Sequence, residues 1–129
     1  MKLDIDISGL ESETREAIQK LKEECLQKLS KAGKAYVTTS QADGNYNNHT
    51  YELRRGNGYQ ITYNGKVVDS YVKRPQTADL FNKDINPKNM ILTYGNGTEY
   101  ASYVQRKGYD VTDSGQLAAE SVARNEFSK

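Results

Sequence analysis

Several kinds of residue are scarce in this 129-residue chain, and each scarcity excludes something. There is one cysteine, Cys25, so no intramolecular disulfide and no cysteine-built metal cluster can form. There is no tryptophan, and there are only two phenylalanines, two prolines and one histidine. Neither charge dominates: 18 basic residues stand against 17 acidic ones. A strongly electrostatic nucleic-acid binder is usually far more basic. No apolar run approaches the length needed to cross a bilayer. The opening Met1–Leu10 has no long apolar core of the secretory kind, so synthesis and retention in a cytoplasm are expected unless the protein leaves within a particle. Hydrophobic residues make up only 36% of the chain, a modest supply for a core.

What is abundant is tyrosine, with ten copies. Its ring is large and apolar and its tip is polar, which suits surfaces that become buried on association. It also suits strands. A small core with many tyrosines predicts a domain that completes its burial against neighbouring subunits. The length predicts one domain over residues 1–129.

Leu3, Ile5 and Ile7 alternate with Lys2, Asp4 and Asp6, the period of a half-buried strand. Ser8 and Glu11 have the spacing of a capping box. A long helix is predicted next, because Ile18, Leu21, Cys25, Leu29 and Ala32 form one stripe, widened by Leu26. Gly33 weakens or ends it, although Ala35 and Tyr36 can extend it. Residues 38–48 are polar and read as a loop. Residues 51–63 and 66–72 read as two strands joined by Asn64-Gly65, a strong hairpin signal. Val67 and Val68 break the alternation of the second. Residues 73–88, with Pro75 and Pro87, read as a second polar connection. Both connections have little to bury and are expected to be mobile in a free subunit and ordered on assembly. A strand over Asn89–Tyr94 ends at Gly95-Asn96-Gly97, read as a tight turn. A short helix over Thr98–Lys107 stops at Gly108. The last helix starts near Asp113 or Ser114 and runs through Leu117, Ala118, Val122 and Ala123. The fold class expected is α+β: a long N-terminal helix and a C-terminal helix packed on a small, mainly antiparallel sheet with a central hairpin.

No catalytic, cofactor or metal constellation emerges. His49 lies in a polar segment without a nucleophile or an orienting partner, so it reads as a solvated histidine. Cys25, on an apolar stripe, reads as a buried thiol. Asp110 and Asp113 are too few for calcium, and Asp113 reads as a helix cap. Gly95-Asn96-Gly97 lacks the lysine and spacing of a phosphate loop. Arg54, Arg55, Lys66, Lys73 and Arg74 are the one basic group of interest. Arg54 and Arg55 would point to opposite faces of a strand, so the five cannot share one patch.

The order of short motifs resembles one family. Tyr100-Ala101, Tyr103-Val104, Gly108 and Asp110-Val111 follow a Tyr-Ala-x-Tyr-Val…Gly-x-Asp-Val pattern that leads into a C-terminal helix. Thr50, Leu53, Arg54, Gly58 and Tyr59 match an upstream segment in order. Asn64 to Val68 match the family's hairpin, and Ser8-Gly9-Leu10 its start. Together these resemble the small neck or tail-completion components of long-tailed bacteriophages, in the form found in phages and prophages of Bacteroides-type hosts. Tyr51 and Glu52 replace the family's Gly-Asn, Arg55 to Asn57 replace a Ser-Ser-Ile-like run, and Gln105 stands where glutamate is usual.

The resemblance implies a non-enzymatic structural protein of the virion head–tail junction, needing no cofactor. It implies a ring of six or twelve subunits with a heterologous contact, joined to connector or head-closure and tail proteins, through which DNA passes. Tyr100, Tyr103 and Tyr109 are then the candidates for the subunit interface, and Arg54, Lys66 and Lys73 the candidates to face DNA. The host cytoplasm would be the site of assembly, with no membrane involved. The alternative class is a small prophage- or host-encoded nucleic-acid-binding module that stacks bases on tyrosines in the basic middle third, where residues 34–95 hold 8 basic and 5 acidic groups.

Overall fold

The computed structural model describes residues 2–6, 15–43, 55–82, 89–98 and 112–128. Strand β1 spans Lys2–Asp6, helix α1 Arg15–Asp43, strand β2 Asn57–Tyr63 and strand β3 Lys66–Tyr71. Helix α2 spans Pro75–Phe81, strand β4 Asn89–Asn96 and helix α3 Asp113–Phe127. The four strands form one sheet in the order β1-β4-β2-β3, and every neighbouring pair is antiparallel. This is the expected α+β class, with β1 and β3 as the two edges.

Register explains the core. Tyr59 pairs with Tyr94, Ile61 with Leu92, and Leu92 in turn with Leu3. Alternation therefore puts Tyr59, Ile61, Met90, Leu92 and Tyr94 on one face, with Leu3 and Ile5 at its rim. Helix α1 lies on this face through Leu29, Ala32, Tyr36 and Val37, all buried. Leu29, Ala32 and Tyr36 continue the stripe expected from Cys25, and Cys25 itself is half-buried at its margin. Leu21, expected on the same stripe, stays 37% exposed because it precedes the part of α1 that meets the core.

Helix α3 runs antiparallel to α1. Near its start Gly115 abuts Tyr36 and Ser40, and near its end Glu126 pairs with Lys31 at 3.4 Å. Its buried residues are Gly115, Ala119 and Ala123, a stripe of small side chains at spacing four that lets the two helices approach closely. Leu117, expected among the apolar positions, is 67% exposed. Asp113 is not the cap: Thr112 holds the N-cap position without a side-chain cap bond, and Asp113 sits in the first turn, where its charge suits the helix dipole.

Of the two outcomes left open at Gly33, the extension through Ala35 and Tyr36 is the one found, and α1 passes on to Asp43. Three expectations are corrected. Residues 38–43 are helical rather than loop, and Ser40 within them is buried beneath α3. The connection after β3 contains α2, which starts at Pro75, a favoured residue for the first helical turn. Its anchors are Thr77 and Phe81, one turn apart and buried on the second face of the sheet. Gly95 and Asn96 are strand residues, paired with Gly58 and Asn57, rather than a turn. Within the two connections, residues 38–43 and 75–81 are therefore helical, with Ser40, Thr77 and Phe81 buried. Residues 44–48 and 83–88 lie outside the described residues, as do Ser8, Glu11 and the helix expected over Thr98–Lys107 beyond Thr98.

The hairpin forms as expected. Asn64 and Gly65 take φ of 56° and 74°, as a tight two-residue turn between right-twisted strands requires. A Cβ at Gly65 is strained in this left-handed conformation. Gly65→Ala is expected to cost roughly 1–2 kcal/mol, read as a lowered urea midpoint with an unchanged slope. The broken alternation at Val67 and Val68 has a cause: the register shifts between Ile61/Asp69 and Thr62/Val67, which leaves Val68 as the extra residue of a β-bulge. Both valines are consequently exposed, at 52% and 42%.

Candidate interaction surface

Edge strand β3 and the C-terminal half of α1 bound an open groove of about 370 Å³. The helix wall carries Lys34, Val37, Thr38 and Gln41, successive positions of one helical face. The sheet side carries Tyr59 from β2 and Asp69, Ser70 and Tyr71 from β3. The bulge matters here: by absorbing Val68 it returns Asp69 and Tyr71 to the helix-covered face, opposite Ile61 and Tyr59.

One carboxylate organises the groove. Ser30 Oγ donates to Asp69 Oδ2 at 2.6 Å, and Tyr59 Oη donates to the same oxygen at 2.9 Å. The Tyr59 phenol is held above its ordinary value, chiefly by burial, with the nearby Asp69 charge adding to it. It therefore remains a donor across the physiological range. Gln41 Nε2 reaches Tyr71 Oη at 3.5 Å, a long contact that ties the helix wall to the strand. The Lys73 ammonium lies 5.1 Å from the Tyr71 ring centroid, within cation–π range.

A smaller concavity of about 190 Å³ sits at the other end of the same face, between Leu26, Tyr63, Val68 and Met90. Lys22 covers the Tyr63 ring at 4.8 Å there. Its lining is mainly apolar, and no carboxylate is clamped in it by internal hydroxyls.

Of the residues expected to act, Lys66 and Lys73 are both exposed on β3 or just beyond it. They stand seven positions apart along an extended edge, so their charges lie on the order of 20 Å apart and form no single patch. Arg55 is not in a strand; it occupies a helical turn before β2, and the expected alternation with Arg54 does not apply. Arg54, Tyr100, Tyr103 and Tyr109 lie outside the described residues, as do His49 and Asp110. Burial raises the Cys25 thiol pKa, which disfavours the reactive thiolate. Among the described residues no group of three metal-ligating side chains forms, and no helix is long and apolar enough to cross a membrane.

Sequence reasoning missed Asp69, Ser30 and Tyr59 as a unit. Ser30 and Asp69 are 39 positions apart, and nothing in either neighbourhood signals the other. The register that puts Asp69 under α1 depends on the bulge. Compared with known proteins, the chain matches no family model, no curated protein and no solved structure.

Proposed function

We infer that this protein is a structural assembly component, a ring subunit of the head–tail junction of long-tailed phages. The observation that carries this reading is the ordered set of motifs: Ser8-Gly9-Leu10, Thr50 to Tyr59, Asn64 to Val68, and Tyr100 to Val111. The surface is compatible with it. Val67 and Val68 on β3, Leu80 on α2 and Leu117 on α3 expose large apolar side chains, as a subunit that meets more than one neighbour would. Among the described residues, β1 and β3 each pair on one side only, which leaves backbone groups available for contacts beyond the subunit.

In this reading the subunit contributes shape and packing, and no bond is made or broken. Tyr100, Tyr103 and Tyr109 are the proposed ring contacts. Arg54, Lys66 and Lys73 are the proposed lumen charges, and the separation of Lys66 from Lys73 suits a conduit through which DNA must slide. Weak, separated cations attract phosphate without trapping it.

The test replaces Arg54, Lys66 and Lys73 together with glutamine, then measures particle assembly and genome delivery separately. Assembled particles with slowed or incomplete delivery are the expected result. Failed assembly places these residues at a protein interface instead. Normal assembly and delivery reduce them to solvated surface. A purified monomer that binds DNA with steep salt dependence, and that is missing from particles, favours the nucleic-acid-binding module.

A further inference from the structure

The Asp69 carboxylate is preorganised. Its two hydrogen bonds come from inside the fold, Ser30 on α1 and Tyr59 on β2, and both end on Oδ2. No described residue donates to Oδ1. Lys34 lines the same groove but forms no ion pair with Asp69. A half-buried anion, held by two hydrogen bonds and without a counter-ion among the described residues, lines the groove together with Tyr59 and Tyr71. An aromatic wall beside a carboxylate favours a cation, through charge-assisted hydrogen bonding and ring attraction together.

The groove opens beside a strand edge. Asp69 and Tyr71 share the helix-covered face of β3, and among the described residues β3 pairs with β2 on one side only. A strand added to the Asp69–Tyr71 stretch, beyond the bulge, would set alternate side chains on that same face, next to Asp69 and Tyr71.

We propose that the β3 edge and the Asp69 groove together dock an extended segment of a partner protein, with an arginine or lysine entering the groove to pair with Asp69. A second copy of this chain is a poor occupant. The other sheet edge, β1, presents Leu3 and Ile5 on the helix-covered face, while Lys2 and Asp4 lie on the other. Pairing β1 with β3 would set an apolar side chain against Asp69 and bury the charge uncompensated. The inference concerns this surface alone and stands apart from the neck reading.

The probe is a blocked pentapeptide, acetyl-Thr-Val-Arg-Val-Thr-amide, titrated into the intact isotope-labelled protein and followed by NMR. Matched peptides carry norleucine or glutamate in place of arginine. The arginine peptide is expected to bind at least about tenfold more tightly than the norleucine peptide, with shifts concentrated at Lys34–Gln41 and Asp69–Tyr71. Asp69→Asn keeps an oxygen for Ser30 and Tyr59 and is expected to erase that preference. Lys34→Ala removes a like charge from the groove and is expected to tighten binding. It also tests the idea if the Asp69 variant fails to fold.

Equal affinity for all three peptides, or no binding, overturns the proposal. So does N-acetylarginine amide binding as tightly as the peptide, which would mark a pocket for small cations. Concentration-dependent self-association with shifts at Asp69–Tyr71, in the absence of peptide, would identify a second copy as the occupant and equally overturn it.

Discussion

Gly33→Ala is expected to destabilise the protein by about 1–3 kcal/mol, although alanine is the better helix former by roughly 1 kcal/mol. Gly33 lies inside α1, where the helix crosses the sheet. A Cβ there would sit 2.6 Å from both Cγ and Cδ2 of Tyr59, and 3.1 Å from Leu92 Cδ1. The Tyr59 ring cannot swing aside cheaply, since its hydroxyl is bonded to Asp69 and its body is buried. The overpacking cost therefore exceeds the propensity gain. Gln27→Ala, on the exposed side of the same helix, is the control and is expected to change stability by less than about 0.5 kcal/mol. Urea denaturation monitored by circular dichroism reads both variants. A Gly33→Ala protein more stable than the parent would show that α1 can lift from the sheet without loss. The same variant also bears on the groove, because displacing Tyr59 removes one of the two clamps on Asp69.

Tyr36→Ala is expected to cost about 3–5 kcal/mol, the scale for deleting a large buried aromatic side chain. Tyr36 is fully buried where α1, α3 and the sheet meet. Its ring packs against Tyr94 at 5.0 Å between centroids and tilted by 47°, a favourable aromatic geometry. Gly115 of α3 is built against its ring, so truncation leaves a cavity that the small side chains of α3 cannot fill. Tyr36→Phe separates packing from polarity. Tyr36 Oη donates to Asn57 Oδ1 at 2.9 Å, and Asn57 is fully buried with Nδ2 unpartnered. Losing the hydroxyl would leave both ends of that amide unsatisfied. A cost of roughly 1–3 kcal/mol is expected. Thermal and urea unfolding of the two variants, compared with the parent, measure the split. Equal costs for Phe and Ala would mean that the hydrogen bond dominates. A negligible cost for Phe would mean that packing alone matters.

Both positions bear on how much of this protein is legible in its sequence. The alternation of Leu3 and Ile5 is enough for β1. The stripe from Cys25 to Ala32 is enough for α1, and Asn64-Gly65 between β-rich runs for the hairpin. Those signals are local: each lies within one element and reflects the period or turn geometry that the backbone imposes. The α+β class follows from their order along the chain.

Tertiary structure decided the rest. Gly33 and the polar run Thr38–Gln41 carry local signals for a helix end, yet α1 continues because Tyr59 needs the missing Cβ and α3 covers Ser40. Helix α2 has only two buried anchors, too few to raise a periodic signal above its polar neighbours. Gly95-Asn96 reads as a turn until β2 offers Asn57 and Gly58 as partners. The Asp69 clamp joins a helix and two strands and becomes possible only after the bulge at Val68 sets the register of β3. Period and turn chemistry are properties of consecutive residues, so the sequence alone determined the elements they govern. Close approach, register and a shared carboxylate are relations between residues distant in the chain, so only the packed fold could decide them.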